Sequence, residues 1–352
     1  MSTFDPADPA PHDVAVTVAG EVAPQALGSV LPREHLLGDF APSDAELSRH
    51  PLHRPAFYRA PFGMDLLGDL ALGVPNRADL LLDDRASAVA EADAFRRAGG
   101  GTVVDATPPD LGRDPAGLRA VAAATGLHVV MATGRHRPAP DGAPPGAGAL
   151  TEEFLRDLGE GVDGVRAGLV ALTAALDPAD PAERAVLVAA ARASAATGAP
   201  VALTRSAGAG TQQRVLDLLE EEGAEPARIA VGGCDTLAPR PDDLEPLLAR
   251  GVFVQFDRLG RLPSVHSVHD DQDVAAAVLE LARRGHAGRL LLSQGAHARS
   301  HLLAGGGGGY GFVLGQFVPF LRMTGADDAL VETLTVRNPR RFLTIPARRT
   351  DS

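Results

Sequence analysis

The chain has 352 residues, 45 % of them apolar, and a formal net charge of −12. That is enough apolar mass for one large core, and its acidic residues are interspersed with arginine, which excludes the basic stripe of a nucleic-acid binder. No apolar run approaches the ~18 residues that cross a bilayer, and the single cysteine, Cys234, allows no internal disulfide.

Residues 1–13 are polar and rich in Pro and Asp, without the basic start and apolar stretch of a secretory signal. They read as a disordered tail on a cytoplasmic protein. Val14–Val22, with Gly20 at its turn, reads as a hairpin, and a first apolar strand follows at 27–32. From residue 100 onward one grammar repeats. A strand at 101–106 leads to Asp114-Pro115, a cap and first helical residue, and the helix closes at Gly126. Strands at 127–132 and 166–171 come next. Asp180-Pro181-Ala182-Glu183 is a capping box that opens a helix ending at Gly198, before the strand at 200–204. Helix Thr211–Glu222 precedes the strand at 228–232, helix Asp242–Arg250 the strand at 252–257, and helix Asp271–Arg284 the strand at 289–293. Each of these helices is stopped by glycine: Gly223, Gly251 and Gly285. Two stretches are irregular, the Pro- and Gly-rich Arg137–Gly148 and the five glycines Gly305–Gly309, the latter read as a flexible loop.

Strands alternating with capped helices predict α/β architecture with a parallel sheet. Eight of them favour a single (β/α)8 TIM barrel with an N-terminal β-hairpin over residues 14–346, with 347–352 as a C-terminal tail. The alternative, an open doubly wound sheet, would carry a Gly-rich turn after its first strand, and none follows Val30-Leu31.

Several short motifs occur in a telling order. They are Leu31-Pro32-Arg33-Glu34-His35-Leu36, Val103-Val104-Asp105-Ala106-Thr107 with Gly112-Arg113-Asp114, and Arg166-Ala167-Gly168-Leu169-Val170. Further on stand Phe256-Asp257-Arg258-Leu259-Gly260, Phe317-Val318-Pro319-Phe320-Leu321-Arg322 and Asn338-Pro339-Arg340-Arg341-Phe342. Together they resemble the phosphotriesterase-related, lactonase-like family of the amidohydrolase superfamily, over roughly 14–345. The resemblance implies a hydrolase whose site lies at the C-terminal ends of the strands and uses two divalent metals such as zinc to activate a bridging hydroxide. It implies two histidines on strand 1, a bridging carboxylated lysine on strand 4, one histidine each on strands 5 and 6, and an aspartate on strand 8.

Carried over position by position, the strand 1 pair falls on Arg33 and His35. The lysine falls on Ala171, the later histidines on Thr204 and Gly233, and the aspartate on Gly295. One ligand of six remains. The chain contains no lysine at all, and a guanidinium at position 33 puts a fixed positive charge where a cation should sit. No metal cofactor is therefore expected.

Other candidates surround the same place. Asp257 and Arg258 match positions beside the substrate in lactonase-like relatives, and Asp105 and Asp235 stand at strand ends, where one of them could neutralise Arg33. Cys234 with His35 is a conceivable nucleophile–base pair. His266, His269, His297 and His301 fall in the last two loops, and a relocated single-metal site could be built from them. The leading expectation is a pseudoenzyme that binds a small anionic or lactone-like ligand or a protein partner. The alternative is an active lactone, ester or phosphotriester hydrolase with a metal-free or single-metal site. Neither nucleic acid nor membrane is an expected partner, and the family resemblance implies a homodimer.

Overall fold

A computed structural model describes residues 9–10, 12–137, 144–261 and 269–347. Its centre is a sheet of eight parallel strands, counted among the described residues. In chain order they are β1 (Ser29–Glu34), β2 (Gly100–Asp105), β3 (His128–Arg135), β4 (Leu169–Ala175), β5 (Val201–Thr204), β6 (Ile229–Gly232), β7 (Phe253–Phe256) and β8 (Leu290–Leu292). Each pairs with its neighbour in sequence, with helices between, as a (β/α)8 barrel requires.

The two ends of the sheet meet. The Arg33 amide donates to Ser293 Oγ at 3.0 Å, the Gly295 amide to the Arg33 carbonyl at 3.1 Å, and the His35 amide to the Ala296 carbonyl at 3.1 Å. The seam between β1 and β8 is thus stitched at the C-terminal ends of the strands, at the barrel mouth.

Alternate strand residues point into the barrel. Val30, Val104, Val130, Leu169, Phe253 and Leu291 fill its interior as one apolar cluster. The opposite faces pack under the helices in a larger core that includes Phe95, Leu118, Phe154 and Leu187. The helices begin and end as their caps dictate. Asp114 and Asp180 accept amides of the first turn, and Gly126 and Gly198, both at φ 75°, close the helices Pro115–Thr125 and Pro181–Thr197.

The hairpin is present as Ala15–Thr17 paired with Gly20–Val22. The Val18 amide reaches the Val129 carbonyl at 2.8 Å, which fixes the hairpin under β3, and Val14 bridges to Ile345.

Three expectations change. The fourth strand runs Leu169–Ala175 rather than 166–171, because Arg166 is tied outward to the Leu158 carbonyl and Glu21. Gly168 also passes so close to the Val16 carbonyl that a Cβ would not fit. The helix over 242–250 is split into a 3-10 turn, Pro241–Leu244, and a short α-helix, Glu245–Ala249. The glycine run 305–309 is packed, not loose. A Cβ at Gly305 or Gly307 would overlap backbone of Arg299 or His301, and the Gly309 carbonyl accepts from the Gln294 side chain.

Most of the expected N-terminal and C-terminal tails lies outside the described residues. No helix among those described is long and apolar enough to cross a membrane.

Candidate functional site at the barrel mouth

Strand ends and the loops after them surround a cavity of about 170 Å³. Its floor is set by Arg33, the last inward side chain of β1. The guanidinium pairs with Asp257 Oδ2 at 3.2 Å, and the two side chains are only 9 % and 7 % exposed. It also donates to Thr204 Oγ1 at 2.5 Å and to the Leu203 carbonyl at 3.3 Å. Asp257 in turn accepts the Gly233 amide at 2.9 Å. A buried charge needs a counter-charge and hydrogen bonds, and this pair supplies both. Glycine at 232 leaves the space: a Cβ there would overlap both Arg33 Nη1 and Asp257 Oδ2.

Two further arginines face the same cavity. Arg258 is exposed at its rim. Arg261 is half-buried, donates to the Gly295 carbonyl at 3.0 Å, and leaves its buried Nε without a partner among the described residues. Burial, followed by the neighbouring Arg258 charge, lowers its pKa to about 10, so it stays cationic at neutral pH. Among the described lining residues, three guanidinium groups therefore face one carboxylate, that of Asp257.

Imidazoles make the opposite wall. His35 binds Thr107 Oγ1 through Nδ1 at 3.0 Å, and its ring lies edge-on to Phe40 at 4.8 Å and to His297 at 6.3 Å. Burial holds His35 well below the ordinary histidine range, and burial with the Arg261 charge takes His297 down to about 3. His136, at the end of β3, meets Thr173 Oγ1 at 3.0 Å and is also shifted down by burial. These rings are neutral at pH 7, so the positive field comes from arginine.

Of the expected pocket positions, Arg33, His35, Thr204, Gly233, Gly295, Asp257 and Arg258 all line the cavity. Ala171 does not. It lies a layer deeper in the interior cluster, and Thr173 is the β4 side chain at the mouth. Asp105 and Asp235 do not line the cavity, and neither neutralises Arg33. Asp105 is fully buried and accepts the Leu36 and Thr107 amides at 2.9 and 2.8 Å. Asp235 accepts those of Asp257 and Arg258, both at 3.0 Å. Burial raises Asp105 to about 6, and burial with the neighbouring Asp257 charge raises Asp235 above the ordinary aspartate range. They brace the strand ends, and Asp257 is the partner of Arg33. Cys234 is buried with its thiol donating to the Val231 carbonyl at 3.2 Å, and burial pushes its pKa far up. A neutral, committed thiol is no nucleophile.

Residues that pattern reading passed over include Glu34, His136, Thr173, Gly232 and Arg261. Glu34 is fully buried and accepts Ser293 Oγ and the Gln294 amide, each at 2.7 Å, and the Ala296 amide at 2.9 Å. It pins the loop that carries Gly295 and His297. Its signal was its place between Arg33 and His35 in one motif.

A family model described as the phosphotriesterase family matches residues 14–343. The chain belongs to the phosphotriesterase family. It is 32 % identical over 277 residues to the phosphotriesterase homology protein of Escherichia coli K12, covering 77 % of this chain and 92 % of that protein. It is 27 % identical over 341 residues to the N-acetyltaurine hydrolase of Rattus norvegicus, covering 93 % and 97 %. A crystal structure of a resiniferatoxin-binding protein from Rhodobacter sphaeroides superposes with a TM-score of 0.84 at 34 % identity, over 94 % of each chain.

The phosphotriesterase family implies metals, and the side chains here do not fit them. A cation would meet the Arg33 guanidinium where a neutral imidazole is needed. Thr173 and Thr204 are weak donors already engaged with His136 and Arg33, and Gly233 and Gly295 offer no side chain at all. Among the described residues, no group of three or more His, Cys, Asp or Glu is placed to hold a metal ion. Of the four histidines considered for a relocated site, His297 and His301 stand together, with ring centroids 4.8 Å apart. His297 Nδ1 is bound to the Gly295 carbonyl and His301 Nδ1 accepts the His297 amide. His269 lies on the segment entering the helix Asp271–Arg283, and His266 lies outside the described residues.

Proposed function

We propose that this phosphotriesterase-family barrel is a non-hydrolytic binding protein for a small organic anion. The observation that carries the reading is the Arg33–Asp257 pair, which fills the expected metal position with a permanently charged side chain and its own counter-ion. Arg258 and Arg261 are left to meet an incoming anion, and arginine forks suit carboxylate or phosphate oxygens. The Rhodobacter sphaeroides relative is itself described by what it binds, which accords with a binding role.

The test is direct. The purified chain is analysed for bound metals and assayed with lactones, phosphotriesters and N-acetyltaurine, with and without added zinc or manganese. Calorimetric titration then measures small carboxylates against neutral isosteres. The expected outcome is substoichiometric metal, no turnover and selective binding of the anions. Stoichiometric metal with turnover abolished by a chelator would sink the proposal and favour a hydrolase with a remodelled site.

A further inference from the structure

We infer that the ligand is an amphipathic anion, a carboxylate-sized head on an extended apolar chain; this rests on the anion-binding reading above. The cationic chamber does not stand alone. Phe40, Leu111 and His136 form one of its walls and also the near wall of a second cavity of about 860 Å³. The outer cavity has a different chemistry. Pro42, Ala45, Pro109, Pro145, Leu150 and Val186 give it an apolar lining, with charged groups such as Glu46, Asp110 and Arg137 around it. Several of these charges are already committed: Arg137 pairs with Glu46, and Asp110 accepts the His136 amide. Arg135 is tied to Glu153 at 2.6 Å. The groove is therefore mainly apolar, and the lining arginine without an acidic partner among the described residues, Arg49, is exposed with its Nε on the Ala45 carbonyl, so it offers a second anionic group only a solvent-screened charge.

The inner chamber is the complement. Its arginines outnumber its acid, and Arg261 Nε is buried without a partner among the described residues. A buried donor left unmatched is destabilising until an acceptor arrives, so an anionic head is the occupant that the chamber selects. His136 stands at the junction as a neutral ring held by Thr173, able to face a hydrocarbon on one side and a polar head on the other. Polar chamber, shared aromatic wall and apolar groove define one path. A neutral lipid leaves the arginines unmet, and a small hydrophilic anion leaves the groove empty.

The experiment titrates the whole chain calorimetrically with butanoate, octanoate and octan-1-ol. Burial is worth about 0.8 kcal/mol per methylene, part of it lost to chain ordering, so octanoate is expected to bind at least about tenfold more tightly than butanoate, and octan-1-ol more weakly than octanoate. Ala45→Asp, on an exposed groove residue, removes the chain-length gain and leaves butanoate unchanged. Arg258→Gln, at the exposed rim, weakens both acids. Equal affinity for butanoate and octanoate overturns the amphipathic ligand while leaving the anion reading intact. Octan-1-ol binding as tightly as octanoate overturns the requirement for an anionic head. Failure of every acid to bind removes the anion reading itself, and this inference with it.

Discussion

Arg33, Asp257 and Gly232 stand or fall together. A buried ion pair adds little net stability beside a well-packed apolar pair, yet breaking it leaves one charge stranded. Arg33→Met alone is expected to cost about 3–5 kcal/mol in denaturant unfolding, because Asp257 then lacks its partner while still accepting the Gly233 amide. Gly232→Ala perturbs the same pair by overlap instead of deletion. An overpacking cost of about 1–3 kcal/mol is expected, together with weakened anion binding. A Gly232→Ala chain with wild-type stability and affinity would show that the pair has room the geometry denies it.

At the scale of elements, Glu34 couples a strand to a loop. Its carboxyl, raised to about 7 chiefly by burial, binds its proton more tightly in the folded chain than in the unfolded one. Stability from this group is thus fully present below the ordinary glutamate range and is lost as pH rises through about 7. His297 acts with the opposite sign: its depressed pKa gives stability that is present above about 6.5 and lost as pH falls. The two partly cancel between about pH 4.5 and 6.5. In Glu34→Gln, the stability–pH slope over that window should shift by up to about 1.4 kcal/mol per pH unit toward greater stability at higher pH. Unfolding midpoints measured across that window check this, and an unchanged slope would remove Glu34 from the account. Helix caps give a simpler case. Asp180→Ala deletes the acceptor for the Ala182 and Glu183 amides and should cost about 1 kcal/mol.

These elements also show what a sequence carries. The Asp caps, the glycine stops and the hairpin turn at Gly20 were legible because each is a local rule acting within one turn. So was the convergence of Thr204, Gly233 and Gly295 on one cavity, since they fall at strand ends whose order is fixed by the barrel. The fourth strand was placed three residues early, because Arg166-Ala167-Gly168 looks extended and only the contact with the hairpin at Val16 excludes it. That slip put Ala171 where Thr173 stands. Arg261 and His136 were invisible for another reason: their roles depend on which loops converge, a property of tertiary structure that no local pattern encodes.

For the whole molecule, the misfit between side chains and metal has a thermodynamic signature. A ligand that binds the folded chain at a thousand times its Kd adds about 4 kcal/mol. If the mouth holds an ion pair in place of cations, calorimetric Tm should be the same with zinc, with manganese and with a chelator. A chelator-dependent fall in Tm would point to metal in the resting protein.

The stitches between β1 and β8 have a last consequence. Gly295, which lines the cavity, belongs to the stretch from Ser293 to Ala296 that also joins the first strand to the last. Natural drift cannot treat these residues as spare parts, whether or not the mouth does chemistry, because a change that loosens the mouth also unzips the cylinder. Architecture alone is reason enough for this corner of the sequence to change slowly, and slow change there is poor evidence of chemistry.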